Sequence, residues 1–214
     1  MAPSIGDMAR LRGDLHQRAL RRQVSIRASA ARMSVSTPAR ASSKRGSTTT
    51  SGVTPASGCG VLLKCASSGK NAWQTFGVNA FVAVNQAIFT NVTDEVTMNG
   101  ATNVGASFSK IGSGVTPSTR DDALVFEGKL AAFLVYVYGG PNSITYIDGG
   151  KYSGVQDMVA AHVGLNITSA QYDYFITNIV VPALVKNGVT AADVTSCFAP
   201  PLVDATFKAS IVGK

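Results

Sequence analysis

Two side chains stand out as able to do chemistry, His162 and Lys129. The chain holds two histidines; His16 lies in an Arg-rich leader, so His162 is the only imidazole outside it. Imidazole ligates iron or zinc when neutral and shuttles protons near neutral pH. His162 comes near the end of a short predicted helix, after the stop signal Gly139-Gly140-Pro141 and the run Tyr152-Ser-Gly-Val-Gln-Asp-Met-Val-Ala-Ala-His162. Ser153-x-x-Gln156 reads as that helix's capping box, and Thr168-x-x-Gln171 as the box opening the next one. A lone imidazole presented by a short helix inside an apolar frame suggests a haem-iron ligand. The ordinary alternative is a hydrogen-bonded core histidine. Lys129 is an ammonium on the otherwise apolar helical face of Phe126, Leu130, Phe133 and Val137.

Other chemistries find little support. There is no G-x-S-x-G, P-loop or H-E-x-x-H, and no C-x-x-C or Cys/His cluster with zinc spacing. Of three cysteines, Cys59 and Cys65 fall at the leader or its junction and Cys197 in the last helix. An uneven number without a paired framework predicts free thiols in a reducing compartment. The net charge is +7, but it is unevenly spread. Residues 1–70 carry twelve Lys/Arg and two acids, whereas residues 71–214 carry seven Lys/Arg and ten acids. A nucleic-acid surface would put its basic residues on the folded part, so DNA and RNA partners are discounted. No apolar run reaches the roughly 18–20 residues of a membrane span.

The elements that would position these groups follow in chain order. Residues 1–58 are rich in Arg, Ser and Ala and nearly free of acid, as organelle transit peptides are. The expectation is a disordered leader directing the chain to a chloroplast, with a mitochondrion as the alternative, and a folded domain over 59–214. From Trp73 to Val92 apolar residues recur at helical spacing. Residues 99–119 are Gly/Ser/Thr/Asn-rich and read as a long loop, an insertion or a mobile flap over a pocket. Ser118 or Thr119 can cap a helix running to about Tyr138, with Asp121 and Asp122 in its first turn. Residues 142–152 form a second insertion with a turn at Asp148-Gly149-Gly150. A helix over about 169–187 buries Tyr172, Phe175, Ile176, Ile179, Val180 and Leu184, with a kink expected at Pro182 and an end at Asn187-Gly188. Thr190-x-x-Asp193 opens the last helix, which Pro200-Pro201 should break.

Phe133-Leu134-x-Tyr136-x-x-Gly139-Gly140, then Gly154-x-x-Asp157-Met158-x-x-Ala161-His162, then Phe175-x-x-x-Ile179-x-x-x-x-Leu184 and Asn187-Gly188-Val189 resemble the truncated, two-over-two haemoglobins of algal type. The resemblance covers roughly 73–214. It implies an all-α, two-over-two helical sandwich holding haem b, with His162 as the proximal ligand. Phe76-Gly77-Val78 stands where the family's short opening helix ends in a glycine pair, with the second glycine missing. Ile88-Phe89-x-x-Val92 resembles the aromatic pair roofing the distal side, without the family's tyrosine.

The pocket implied is lined by Phe89, Phe126, Leu130, Phe133, Met158, Ile176 and Ile179. Phe126 and Leu130 occupy positions where family members hold bound oxygen with glutamines. Loss of such a hydrogen bond, worth roughly 1–3 kcal/mol, should speed oxygen release about ten- to hundredfold. That disfavours slow storage and favours binding of O2, NO or CO with a redox or gas-response role. NO dioxygenation or nitrite reduction would need an external electron donor or reductase. Three roles stay open for Lys129: a stem on the surface with its head in water, a salt bridge to a haem propionate, or a distal iron ligand like the lysine of some algal relatives. The last requires a neutral amine. Other readings are a globin-fold sensor or interaction module with haem lost or only structural, and a non-globin helical bundle.

Overall fold

The computed structural model describes residues 63–111 and 123–214. The leader, Cys59, the expected cap at Ser118 or Thr119, and Asp121 and Asp122 lie outside the described residues. The described part is mostly helical, with one two-stranded sheet.

Helix α1 spans Ala72–Asn99 and opens with a capping box: the Asn71 side chain accepts from the Gln74 amide at 2.7 Å, and Gln74 reaches back to the Asn71 amide. Gly77 interrupts it at φ 70°, a left-handed value favouring glycine, so a short opening turn precedes a long helix. Phe81, Val84, Ile88 and Val92 recur at helical spacing on the buried side.

The expected loop beginning at Asn99 is not structureless up to Ile111. The helix runs through Asn99, and a single 3-10 turn follows at Ala106–Phe108. Val104 and Ile111 are buried with the core. Apolar residues too sparse to show a period still suffice to pin a segment of this length.

Helix α2, Ala123–Val137, packs against α1. It ends as Gly139-Gly140-Pro141 predicts, with the Gly140 amide bonding the Val135 carbonyl at 2.8 Å. The second expected insertion is an antiparallel hairpin, β1 Ser143–Thr145 and β2 Lys151–Ser153, with Ile144 opposite Tyr152. This corrects the all-α expectation at one point. Its signal was the Asp148-Gly149-Gly150 turn, where Asp148 accepts from the Gly150 amide and from the Tyr152 hydroxyl. The hairpin exit lies close on α2, since a Cβ on Gly154 would come within 2.5 Å of the Ala132 carbonyl oxygen.

Helix α3, Met158–His162, is a turn and a half long. The Ser153-x-x-Gln156 box expected at its start is not formed. Ser153 ends β2, and the cap is Asp157, whose carboxylate accepts from the Ala160 amide at 3.0 Å. Strand pairing took Ser153, leaving the next capable side chain to cap.

Helix α4, Ser169–Tyr174, starts with the expected Thr168/Gln171 box and runs into a π turn, Phe175–Val180, then α5, Val181–Lys186. Pro182 lies in the first turn of α5, where a missing N–H costs least. The irregularity expected at the proline is therefore a widened turn just before it. Asn187-Gly188 ends α5 as expected. Thr190 caps α6, Ala191–Asp193, followed by a second π turn, Val194–Phe198, and α7, Ala199–Val203. Pro200 and Pro201 do not break the helix; again a π turn precedes them, and the break falls at Asp204, the cap of α8, Ala205–Ala209.

The free-thiol expectation is overturned for Cys65 and Cys197. Cys65 and Cys197 form a disulfide across 132 residues, both sulfurs buried. Spacing cannot announce a bridge between segments that meet only in the fold. It fastens the chain ahead of α1 to the second π turn, beside bonds from the Ala66 amide to Ser196 and the Ser67 amide to Asp193. A loop this long should make the bridge worth about 4–5 kcal/mol. Cys197→Ser is expected to lower the unfolding free energy in urea by about that amount, and reductant should bring the native chain to the same value.

Candidate functional site

His162 forms part of the wall of a cavity of about 570 Å³. That volume falls within the roughly 300–1,000 Å³ typical of small-molecule and cofactor sites. Helix α2 contributes Phe126, Lys129, Leu130 and Phe133, α3 contributes Met158 and His162, and the first π turn contributes Ile176. These seven were expected together. The walls are mainly apolar.

Phe89 and Ile179 do not reach the cavity. Ile88 and Val180, their immediate neighbours, stand there instead. One position along a helix turns a side chain by about 100°. Phe89 is buried behind the wall, edge-on to Phe126 at 5.3 Å between ring centres. Ile179 is buried, and its carbonyl accepts from the Asn91 side chain at 3.0 Å, tying α1 to the π turn.

The imidazole is oriented by its own helix. His162 Nδ1 lies 2.7 Å from the Met158 carbonyl oxygen. A carbonyl only accepts, so Nδ1 carries a proton, and in the neutral ring the lone pair then belongs to Nε2. A backbone partner on one nitrogen fixing the other as ligand is the usual arrangement of metal-binding histidines. The Met158 side chain is buried and faces the same cavity. Lys129 is exposed and stands at the cavity's edge.

Other wall residues were not expected as such. Val104 and Phe108 enter from the 100–111 segment, with Phe108 stacked on Phe175 at 6.0 Å. Leu202, Phe207 and Ile211 close the C-terminal side. Tyr172 is buried in the wall and donates its hydroxyl to the Leu202 carbonyl at 2.6 Å. Burial, then the Asp173 and Asp204 charges, push this phenol above its ordinary range, so it stays neutral.

A buried carboxylate helps hold the 100–111 segment beside the cavity. Glu95 is buried and accepts from the Asn103 side chain at 2.8 Å and the Asn99 side chain at 3.0 Å. These bonds, Asn103 foremost, with Tyr174 adding another, hold its carboxyl below the ordinary value despite burial. Gln171 adds a bond to the Thr102 carbonyl at 3.1 Å.

No family model, curated protein or solved structure matches the chain.

Since Glu95 binds its proton more weakly folded than unfolded, its contribution is fully present above about pH 4.5 and is lost as pH falls through the folded value. Protection of the 100–111 amides, measured against their intrinsic exchange rates, should therefore fall below about pH 4.5. Asn103→Ala should remove much of that pH dependence while leaving exchange in α2 unchanged.

Proposed function

We propose that the chain is a haem protein of the truncated-globin type that binds a diatomic gas. The observation carrying this reading is the His162 ring, its Nδ1 proton given to the Met158 carbonyl, standing in the wall of a largely apolar cavity. The residues fit such a group. A neutral His162 ring protonated at Nδ1 is the tautomer that ligates iron through Nε2, and Phe126, Leu130, Phe133 and Ile176 offer the apolar surface a macrocycle needs. Bound there, haem would supply an iron that takes O2, NO or CO and exchanges single electrons.

The chain's own residues set the conditions. Met158 fixes the histidine tautomer through its backbone and packs its side chain on the same side. Phe126 and Leu130 exclude water and offer no hydrogen-bond donor, which favours turnover of NO or nitrite with an external donor over storage. Lys129, exposed and among the residues lining the cavity, would pair with a haem carboxylate. The order of α1, α2, α4–α5 and α6–α7, with α1 packed on α2 and α5, supports a two-over-two arrangement. The Arg- and Ser-rich leader supports delivery to a plastid.

A second reading is a globin-fold sensor or interaction module whose haem is lost or only structural. The exposed apolar residues Val155, Val159 and Val163 around α3 favour it, as a surface a partner could cover. Purified protein given haem should develop a Soret band; failure to do so would leave this second reading.

His162 is half-buried, so His162→Ala should leave the helical circular dichroism intact. It should also weaken haem retention against apomyoglobin by at least about tenfold. Full retention and an unchanged spectrum in that variant would end the proposal. Lys129→Ala should weaken haem retention severalfold and leave the ferric spectrum unaltered. A low-spin spectrum lost in Lys129→Ala would instead make the lysine the iron's second protein ligand.

A further inference from the structure

The sulfur atoms of Cys65 and Cys197 and a carboxylate oxygen of Asp193 all lie within 4.8 Å of one another. All three residues are almost wholly buried, Cys65, Asp193 and Cys197 each about 1% exposed. They come from two segments far apart in sequence: Cys65 precedes α1, while Asp193 and Cys197 stand one turn apart at the α6–π junction. Thiolates and carboxylates are both among the donors that zinc binds. Zinc bonds of roughly 2.0–2.3 Å in a tetrahedron set donors about 3–4 Å apart; the sulfurs, bonded to each other at 2.05 Å here, would have to separate by about 1–2 Å on reduction to reach that spacing.

The carboxylate is already oriented. Asp193 Oδ1 accepts from the Ser67 amide at 2.9 Å, and Oδ2 from the Thr190 hydroxyl at 3.0 Å. The Ser67 amide foremost, with the Ser67 side chain and the Ala66 amide adding to these bonds, holds the Asp193 carboxyl below its ordinary range, so it stays ionised as a ligand must be, and a metal would displace one of them. Donors that fix a ligating carboxylate in this way form the outer shell of metal sites.

We propose that these residues are a latch with two chemical forms: a disulfide when oxidised, and a Cys65–Asp193–Cys197 zinc site when reduced. Reduction takes two electrons and two protons from a dithiol, which closes to its own disulfide as the Cys65–Cys197 bond opens to two thiols. Zinc binding then releases the two thiol protons to solvent and leaves the fourth position to water. Either form holds the 63–71 segment against the second π turn, so the attachment does not depend on redox compartment. The latch is independent of what the cavity holds.

The test uses the full chain carrying Cys59→Ser, reduced with a water-soluble phosphine under nitrogen and then offered one equivalent of zinc. One zinc per chain should survive desalting, and zinc should raise the melting temperature of the reduced protein. The disulfide form should retain none. Cobalt in place of zinc should give thiolate-to-metal absorption in the near ultraviolet. Cys65→Ser should abolish that band, Asp193→Asn should weaken zinc by at least about tenfold, and His162→Ala should change neither. A reduced chain that retains no zinc and gains no stability from it overturns the proposal. So does zinc held equally well by Cys65→Ser and Asp193→Asn. A reduced chain that unfolds and does not refold on adding zinc overturns it too.

Discussion

Everything in this molecule leans on the unequal faces of α2. One face is narrow: Gly128, Ala131, Ala132 and Val135 are all buried. Small side chains there let the hairpin come close, with Gly154 against the Ala132 carbonyl and Gly128 against the Tyr152 ring. The other face is broad, and Phe126, Leu130 and Phe133 project into the cavity. Dispersion forces reward close contact and forfeit a large part of their attraction across a gap of even an ångström. The narrow face therefore fixes where the helix sits, and the broad face inherits that position. A bulkier residue on the narrow side would shift the cavity wall without touching it.

The cavity persists because its boundary is tied by polar bonds as well as by packing. Tyr172 reaches the Leu202 carbonyl, which lies near the end of α7 and has lost its helical partner to the break at Asp204. Tyr138 bonds the Phe198 carbonyl, again across to the C-terminal helices. Asn91 serves the Ile179 carbonyl within the first π turn. Such widened turns occur often at functional sites. Here each comes just before prolines, which lack the N–H a regular helix would use.

Much of this was legible in the residues. The helix-spaced apolar stripes, the stop at Gly139-Gly140-Pro141 and the caps at Thr168 and Thr190 reported local physics, and local physics prevailed. Seven of the residues expected at the site converge on one cavity because they share faces of α2, α3 and the first π turn. What was hidden depended on distance or on a single residue's rotation. Phe89 and Ile179 missed the cavity by one position, beyond the resolution of a periodicity argument. Ser153 could serve a helix or a strand, and the strand's pairing decided it. The Cys65–Cys197 bridge joins residues with nothing between them in sequence to suggest a meeting.

That bridge also changes the topology of the covalent chain. Between Cys65 and Cys197 the backbone is a closed ring, with the rest of the polypeptide as two tails. A protease that cuts the ring once only opens it into a line. Both pieces remain a single molecule, and such damage would go unseen on a gel until the sulfurs were parted.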